Sequence, residues 1–190
     1  DIVEAEVKAV RQAAGIIDVT AFTKIEVSGP GAAALLDRLV ANKLPAKIGG
    51  ITLGHMLNRR GRIELETTIF RNKEDSYYLV CAAFFEQRLM DHMTQNKQDE
   101  DADITVLSDT WSALALNGPN SRDVLSACTD APLDNEHFRW LTGQTITIAS
   151  HPVMAMRLSY AGELGWELHM PNAACVDVYN ALTTAGRSFG

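Results

Sequence analysis

The sequence predicts an α+β fold made of two β-α-β-β-α-like units with mainly antiparallel sheets. Three observations point to it. One grammar occurs twice: Lys24-Ile-Glu-Val-Ser-Gly-Pro-Gly31 runs into Ala32–Val40, and Ala113-Leu-Ala-Leu-Asn-Gly-Pro-Asn-Ser121 runs into Arg122–Cys128. Each is a short apolar strand, a Gly-Pro turn and then helical periodicity. The segments downstream of each are also alike, with further strands and a closing helix repeating about 90 residues on. Between the two, Asn96-Lys-Gln-Asp-Glu-Asp-Ala-Asp103 is polar and charged and reads as an exposed connection. The expected division is therefore 1–95, a connection at 96–103, and 104–190.

In the first unit Pro30 sits where a fixed φ and a missing N–H are tolerated, at a turn or first helical position. Strands are expected over Ile51–Asn58, Arg62–Arg71 and Ser76–Ala82, joined by turns at Arg59–Gly61 and Asn72–Asp75, with a helix over Phe84–Gln95. Period-two alternation puts Ile63, Leu65 and Thr67 on one side and Glu64, Glu66, Thr68 and Phe70 on the other. Two acidic groups on one strand face mean either water or a polar cavity on that side. In the second unit Pro119 repeats the role of Pro30. Strands are expected over Gln144–Ala149, Val153–Tyr160 (after a break at His151-Pro152) and Trp166–Met170, then a helix over Ala173–Ala185.

A net charge of -7 disfavours nucleic acid or an anionic membrane as the main partner. No apolar run approaches the roughly 20 residues that span a bilayer, and the N-terminus lacks the layout of a signal peptide. Cys81, Cys128 and Cys175 are widely spaced in apolar or helical contexts, which favours buried free thiols in a reducing compartment. His55, His92, His137, His151 and His169 show no metal-like spacing, and no metal is expected. Dinucleotide, Walker-type and Gly-x-Ser-x-Gly motifs are absent from the sequence. The chain starts at Asp1 rather than Met and stops at Gly190 after a helix-like segment, so a piece of a longer polypeptide is expected.

The most informative stretch is Arg157-Leu-Ser-Tyr-Ala-Gly-Glu-Leu-Gly-Trp-Glu-Leu-His-Met-Pro171. It holds Glu163 inside a turn bounded by Gly162 and Gly165, between Tyr160 and Trp166. Spacing alone leaves two readings open: an ordinary hairpin with a solvated glutamate, or a carboxylate presented to a flat polar ligand. The pattern resembles the signature of the glycine-cleavage T-protein (aminomethyltransferase) family, the tetrahydrofolate-binding enzymes of one-carbon transfer. Gly15-Ile-Ile-Asp-Val-Thr20, Val27-Ser-Gly-Pro-Gly-Ala32, Met56-Leu-Asn-Arg-Arg-Gly-Arg-Ile63 and Leu114-Ala-Leu-Asn-Gly-Pro-Asn-Ser121 are similar to further family segments, in the family's order.

The resemblance implies the aminomethyltransferase folate-binding fold, without the family's C-terminal portion. It implies that Glu163 hydrogen-bonds the pterin ring, since a carboxylate accepts two parallel N–H bonds from an amino-oxo-pyrimidine edge. It places Glu66 where the family carries a catalytic Asp, a departure of one methylene, while Arg62 replaces the second Gly of that hairpin. Tyr160 and Trp166 are expected as ring contacts, against the alternative of core aromatics. Arg157 is expected to pair with or support Glu163, and Met56, Asn58 and Tyr78 to line the cleft. The ending Leu164-Gly-Trp-Glu-Leu168 looks most like the domain fused to flavin-dependent dimethylglycine and sarcosine dehydrogenases. On that basis the expected function is tetrahydrofolate-dependent transfer of an aminomethyl or methylene carbon from a small methylated amine. The expected FAD lies on a dehydrogenase part outside this sequence, and the location is the cytoplasm, or the mitochondrial matrix in a eukaryote. The alternatives are a free glycine-cleavage aminomethyltransferase and a non-catalytic folate-binding or structural module.

Overall fold

Two five-stranded sheets organise residues 1–189, which are the residues the computed structural model describes. The elements are α1 (Ile2–Gln12), β1 (Gly15–Asp18), β2 (Thr23–Ser28), α2 (Ala32–Leu39), β3 (Ile51–Leu57), β4 (Ile63–Lys73), β5 (Ser76–Cys81) and α3 (Glu86–Asn96). They continue with β6 (Asp103–Val106), β7 (Trp111–Asn117), α4 (Ser121–Ser126), β8 (Thr142–Ile148), β9 (His151–Arg157), β10 (Gly165–Pro171) and α5 (Asn172–Gly186). The strand orders are β3-β4-β5-β2-β6 and β1-β7-β10-β9-β8, and every pairing between these strands is antiparallel.

The repeat is therefore real at the level of topology. β2-α2-β3-β4-β5-α3 and β7-α4-β8-β9-β10-α5 share one plan and one strand order. The boundaries differ from those expected. One compact unit comprises residues 21–109, and the other joins 1–20 to 110–190. The reason is an exchange of edge strands: β1, which precedes the first repeat, pairs with β7 of the second. β6, which precedes the second repeat, pairs with β2 of the first. Thus 104–109 belongs with the first repeat and 1–20 with the second.

Each sheet has one face packed under its helices. In the 21–109 unit, Ile25, Val27, Met56, Leu65, Ile69, Tyr77 and Leu79 meet Leu35 and Leu36 of α2 and Leu89 and Met93 of α3. In the other unit, Leu116, Ile146, Val153, Trp166 and Leu168 meet Val124 and Leu125 of α4 and Val178 and Leu182 of α5. Period-two alternation then sends the intervening side chains to the opposite face. Cys81 is buried and Cys128 and Cys175 half-buried, all as free thiols; burial pushes the Cys81 thiol up to about 11.

α1 is capped by Asp1, whose carboxylate accepts from the Val3 amide at 3.2 Å, and Lys8 pairs with Glu4 at 2.6 Å one turn away. None of its residues is buried. Pro152 does not break the second unit. It lies inside β9, opposite Thr147 of β8 and outside the Met154–Met156 span that pairs with β10, where a missing N–H costs no ladder bond on that side.

The β8–β9 hairpin closes through Ala149 and Ser150, with φ of 48° and 66°. Positive φ at both central residues is the mark of a type I′ turn, whose preferred residues are Asn and Gly. Left-handed backbone costs an L-residue roughly 1–2 kcal/mol. The double change Ala149→Asn, Ser150→Gly is therefore expected to stabilise the protein by about 1 kcal/mol, read as a higher urea midpoint at unchanged slope. An unchanged or lower midpoint would show that this turn is not strained.

Candidate functional site

The residues singled out by sequence fall into two places, one in each unit. In the first, Leu158–Leu164 connects β9 to β10. Gly162 adopts φ +78°, which glycine enters without Cβ strain. Gly165 is needed for a different reason: a Cβ there would stand 2.1 Å from the Asn117 side-chain oxygen of neighbouring β7. Glu163 is held between these two glycines. Its carboxylate accepts from Arg11 Nη1 of α1 at 2.9 Å and is 22% exposed. It lines a cleft of about 630 Å³ whose walls include Val7, Val10, Ile16 and Ile17, with Arg11 and Asp18 as polar neighbours.

The flanking residues diverge. Tyr160 is 97% exposed and projects from the turn. Trp166 is fully buried among the core residues, its ring edge-on to Phe138 at 6.2 Å between centroids. Trp166 is thus a core aromatic, because β10 alternation turns it toward the helix-covered face. Arg157 does not pair with Glu163. It is buried, donates from Nη1 to the Phe138 carbonyl, and lies 5.7 Å from the Trp166 ring centroid, with Arg122 at 5.9 Å from the same ring. Burial, and then the charge of Arg122, push the Arg157 pKa down.

The second place is the β3–β4 hairpin. Leu65, Thr67 and Ile69 point into the core, leaving Glu64 and Glu66 on the opposite face. Met56 is fully buried in the core, so it lines no cleft on the face that carries Glu66. Asn58 shapes the turn: its oxygen accepts from the Arg60 and Arg62 amides at 2.9 and 3.2 Å, and its amide donates to Glu64 at 3.3 Å. Glu64 is also paired with Arg88 of α3. Arg88 first, then Asn58, hold its carboxyl below the usual carboxylate range. Tyr78 is buried opposite Phe70, on the sheet face of Glu66 but four residues farther along β4.

Glu66 stands directly across from His55 of β3. Its Oε2 is 2.9 Å from His55 Nε2, and it remains 45% exposed. The other ring nitrogen of His55 faces the Asn42 side-chain oxygen at 3.4 Å. Sequence reasoning missed His55, Asn42 and Arg11. Turn parity alone would mislead at His55: a regular hairpin closed at Arg59–Gly61 sets it opposite Leu65, and only the bulge between Met56 and Leu57 brings it across from Glu66. The sequence carries no signal for Arg11 either, which meets Glu163 across about 150 residues.

Among the described residues, no three His, Cys, Asp or Glu side chains are grouped to hold a metal ion, and no helix is long and apolar enough to cross a membrane. The profile of the GCVT N-terminal domain family matches residues 1–190. The chain is 34% identical to mitochondrial sarcosine dehydrogenase of Homo sapiens, over all of this chain and 22% of that protein. It is 32% identical to mitochondrial dimethylglycine dehydrogenase of Mus musculus, over 99% of this chain and 22% of that one. An aminomethyltransferase of Streptomyces avermitilis is 33% identical over 96% of this chain and 49% of its own length. The chain thus spans about a fifth of these dehydrogenases and half of the aminomethyltransferase. Among solved structures, glycine cleavage system aminomethyltransferase T from Bartonella henselae shares the fold, with a TM-score of 0.82 at 24% identity over 94% of this chain and 47% of that one.

Proposed function

The chain belongs to the GCVT N-terminal domain family, and from that membership we propose that it is the tetrahydrofolate-dependent one-carbon transfer domain of a dimethylglycine or sarcosine dehydrogenase-like protein. The observation that carries the reading is the placement of Glu163, a carboxylate at an apolar-walled cleft of about 630 Å³. Such an acceptor suits a reduced pterin, which offers an N–H edge to a carboxylate and a flat ring to aliphatic walls. Tetrahydrofolate supplies the nitrogens that take up the carbon.

The chain's own residues then divide the work. Glu163 orients the ring by accepting its N–H edge, for which the Arg11 contact must yield. Tyr160 is free to fold over the ring, whereas Arg157 and Trp166 hold the turn from beneath. Glu66, on the other unit, is proposed as the acid–base carboxylate of the transfer: it is accessible and of the kind that can take or return a proton. Asn58 fixes the hairpin that carries it. On this reading the amine is a small N-methylated or aminomethyl compound, and a flavin belongs to the rest of the polypeptide. The matrix location of a mitochondrial enzyme follows the two dehydrogenase relatives. The near-equal identity to the Streptomyces aminomethyltransferase favours a glycine-cleavage enzyme as the second reading.

Glu66→Gln is the direct test. In the full-length protein it is expected to leave the affinity for a stable reduced folate nearly intact and to lower transfer by about 10²-fold. Equal losses in affinity and rate would reduce Glu66 to a pocket support. Unchanged transfer would make the domain non-catalytic at this position.

A further inference from the structure

The extra methylene of Glu66 relative to Asp gives its carboxylate more freedom where positioning matters, and the side chain is 45% exposed. The structure supplies a tether. His55 faces Glu66 across the β3–β4 register, with Nε2 2.9 Å from Oε2. Asn42, in the segment after α2, meets Nδ1 of the same ring at 3.4 Å. Glu64, the other acid on this face of β4, is engaged by Arg88 and Asn58 and does not compete for the ring.

We propose that His55, oriented by Asn42, is a positioning residue for Glu66. It ties down Oε2 so that Oε1 is the single oxygen presented outward. The inference rests on the one-carbon transfer reading, which it deepens, because a tethered carboxylate is what that reading requires of a Glu in place of Asp. The chemistry of the pair is consistent in either ring state. An imidazolium donates to both oxygens. A neutral ring donates Nε2–H to Glu66 while Asn42, its amide turned over, donates to Nδ1. A misplacement of about 1 Å is enough to cost 10²-fold in rate, so the loss of such a tether has a measurable size.

Three substitutions separate tether from bulk. Gln at position 55 carries a donor near the place of Nε2, Asn carries one near Nδ1, and Ala carries none. In the full-length protein, His55→Asn and His55→Ala are expected to lose up to about 10²-fold in kcat with folate KM unchanged. His55→Gln is expected to recover most of that rate. Equal rates for His55→Gln and His55→Asn, or wild-type rates for all three, would overturn the proposal. A second readout needs no ligand: in protein labelled with 15N-histidine, Glu66→Gln should move the His55 Nε2 resonance and Asn42→Ala the Nδ1 resonance. An Nε2 resonance indifferent to Glu66→Gln overturns the tether whether or not the protein handles folate. A responsive resonance in a protein with no transfer by the natural sequence keeps the tether and overturns the transferase reading.

Discussion

Glu163→Ala is expected to weaken binding of a stable reduced folate, such as 5-formyltetrahydrofolate, by roughly 1.5–3 kcal/mol, the usual worth of a hydrogen bond to a charged group. That is about 10- to 150-fold in Kd by calorimetry. The size of the effect depends on Arg11, which holds the same carboxylate at 2.9 Å. Arg11 is 66% exposed, and an ion pair so placed contributes about 1 kcal/mol at most. A ligand making two charge-assisted bonds can therefore displace it. It follows that Arg11→Ala should leave folate binding unchanged or slightly stronger. If both substitutions weaken binding equally, the two residues act as a structural pair closing the cleft and Glu163 is not the ring acceptor. If Glu163→Ala binds as well as the natural sequence, the assignment of the pterin to this turn fails.

Trp166→Ala is expected to destabilise the unit that holds β10 by about 3–5 kcal/mol, the range for truncating a large buried aromatic. For a chain of this length that is a fall of about 6–20 °C in Tm. The ring is fully buried, meets Phe138 edge-on, and has two guanidiniums within 6 Å of its centroid. Removing it opens a cavity and leaves the buried Arg157 without the surface it lies against. Trp166→Phe should cost much less, because the aromatic contact with Phe138 survives. The pair of variants also tests the reading of Trp166 as a ligand contact: a ring facing the ligand would lower folate affinity in both variants while leaving Tm nearly unchanged.

The parts of the fold that are legible in the sequence are those where local chemistry and burial agree. The Gly-Pro turns, the Arg59–Gly61 turn and the alternation around Leu65 follow from short-range rules, and so does the repeat. α1 carries Val3, Val7 and Val10 at helical spacing, but none of its residues is buried, so that stripe meets no core. β1 and β6 are four residues each, too short for period two to declare itself, and their partners lie far along the chain. At the candidate site, the sequence locates Glu163 and Glu66 only through resemblance. It cannot say which aromatic beside the Gly162–Gly165 turn faces outward, since this depends on the parity of β10 relative to the core. Tyr160 and Trp166 therefore look equivalent in the sequence and are opposite in the structure. Side-chain partners such as Arg11 and His55 are set by register and by long-range closure, which spacing along one strand does not contain.

The exchange of β1 and β6 between the two repeats has a consequence for the order in which the chain can be assembled. On a ribosome, β1 emerges first but must wait for β7, close to 100 residues later, before it has a partner. Residues 21–109, by contrast, contain everything their own sheet requires. Closing the long loop costs entropy before any contact rewards it, so the contiguous unit should complete its sheet first, with the N-terminal strand unpaired meanwhile. Such a strand is a standing invitation to pair with a second chain. Misassembly during synthesis would begin at Gly15–Asp18, and a nascent chain arrested before β7 would be protease-sensitive across residues 1–20 and resistant within 21–109.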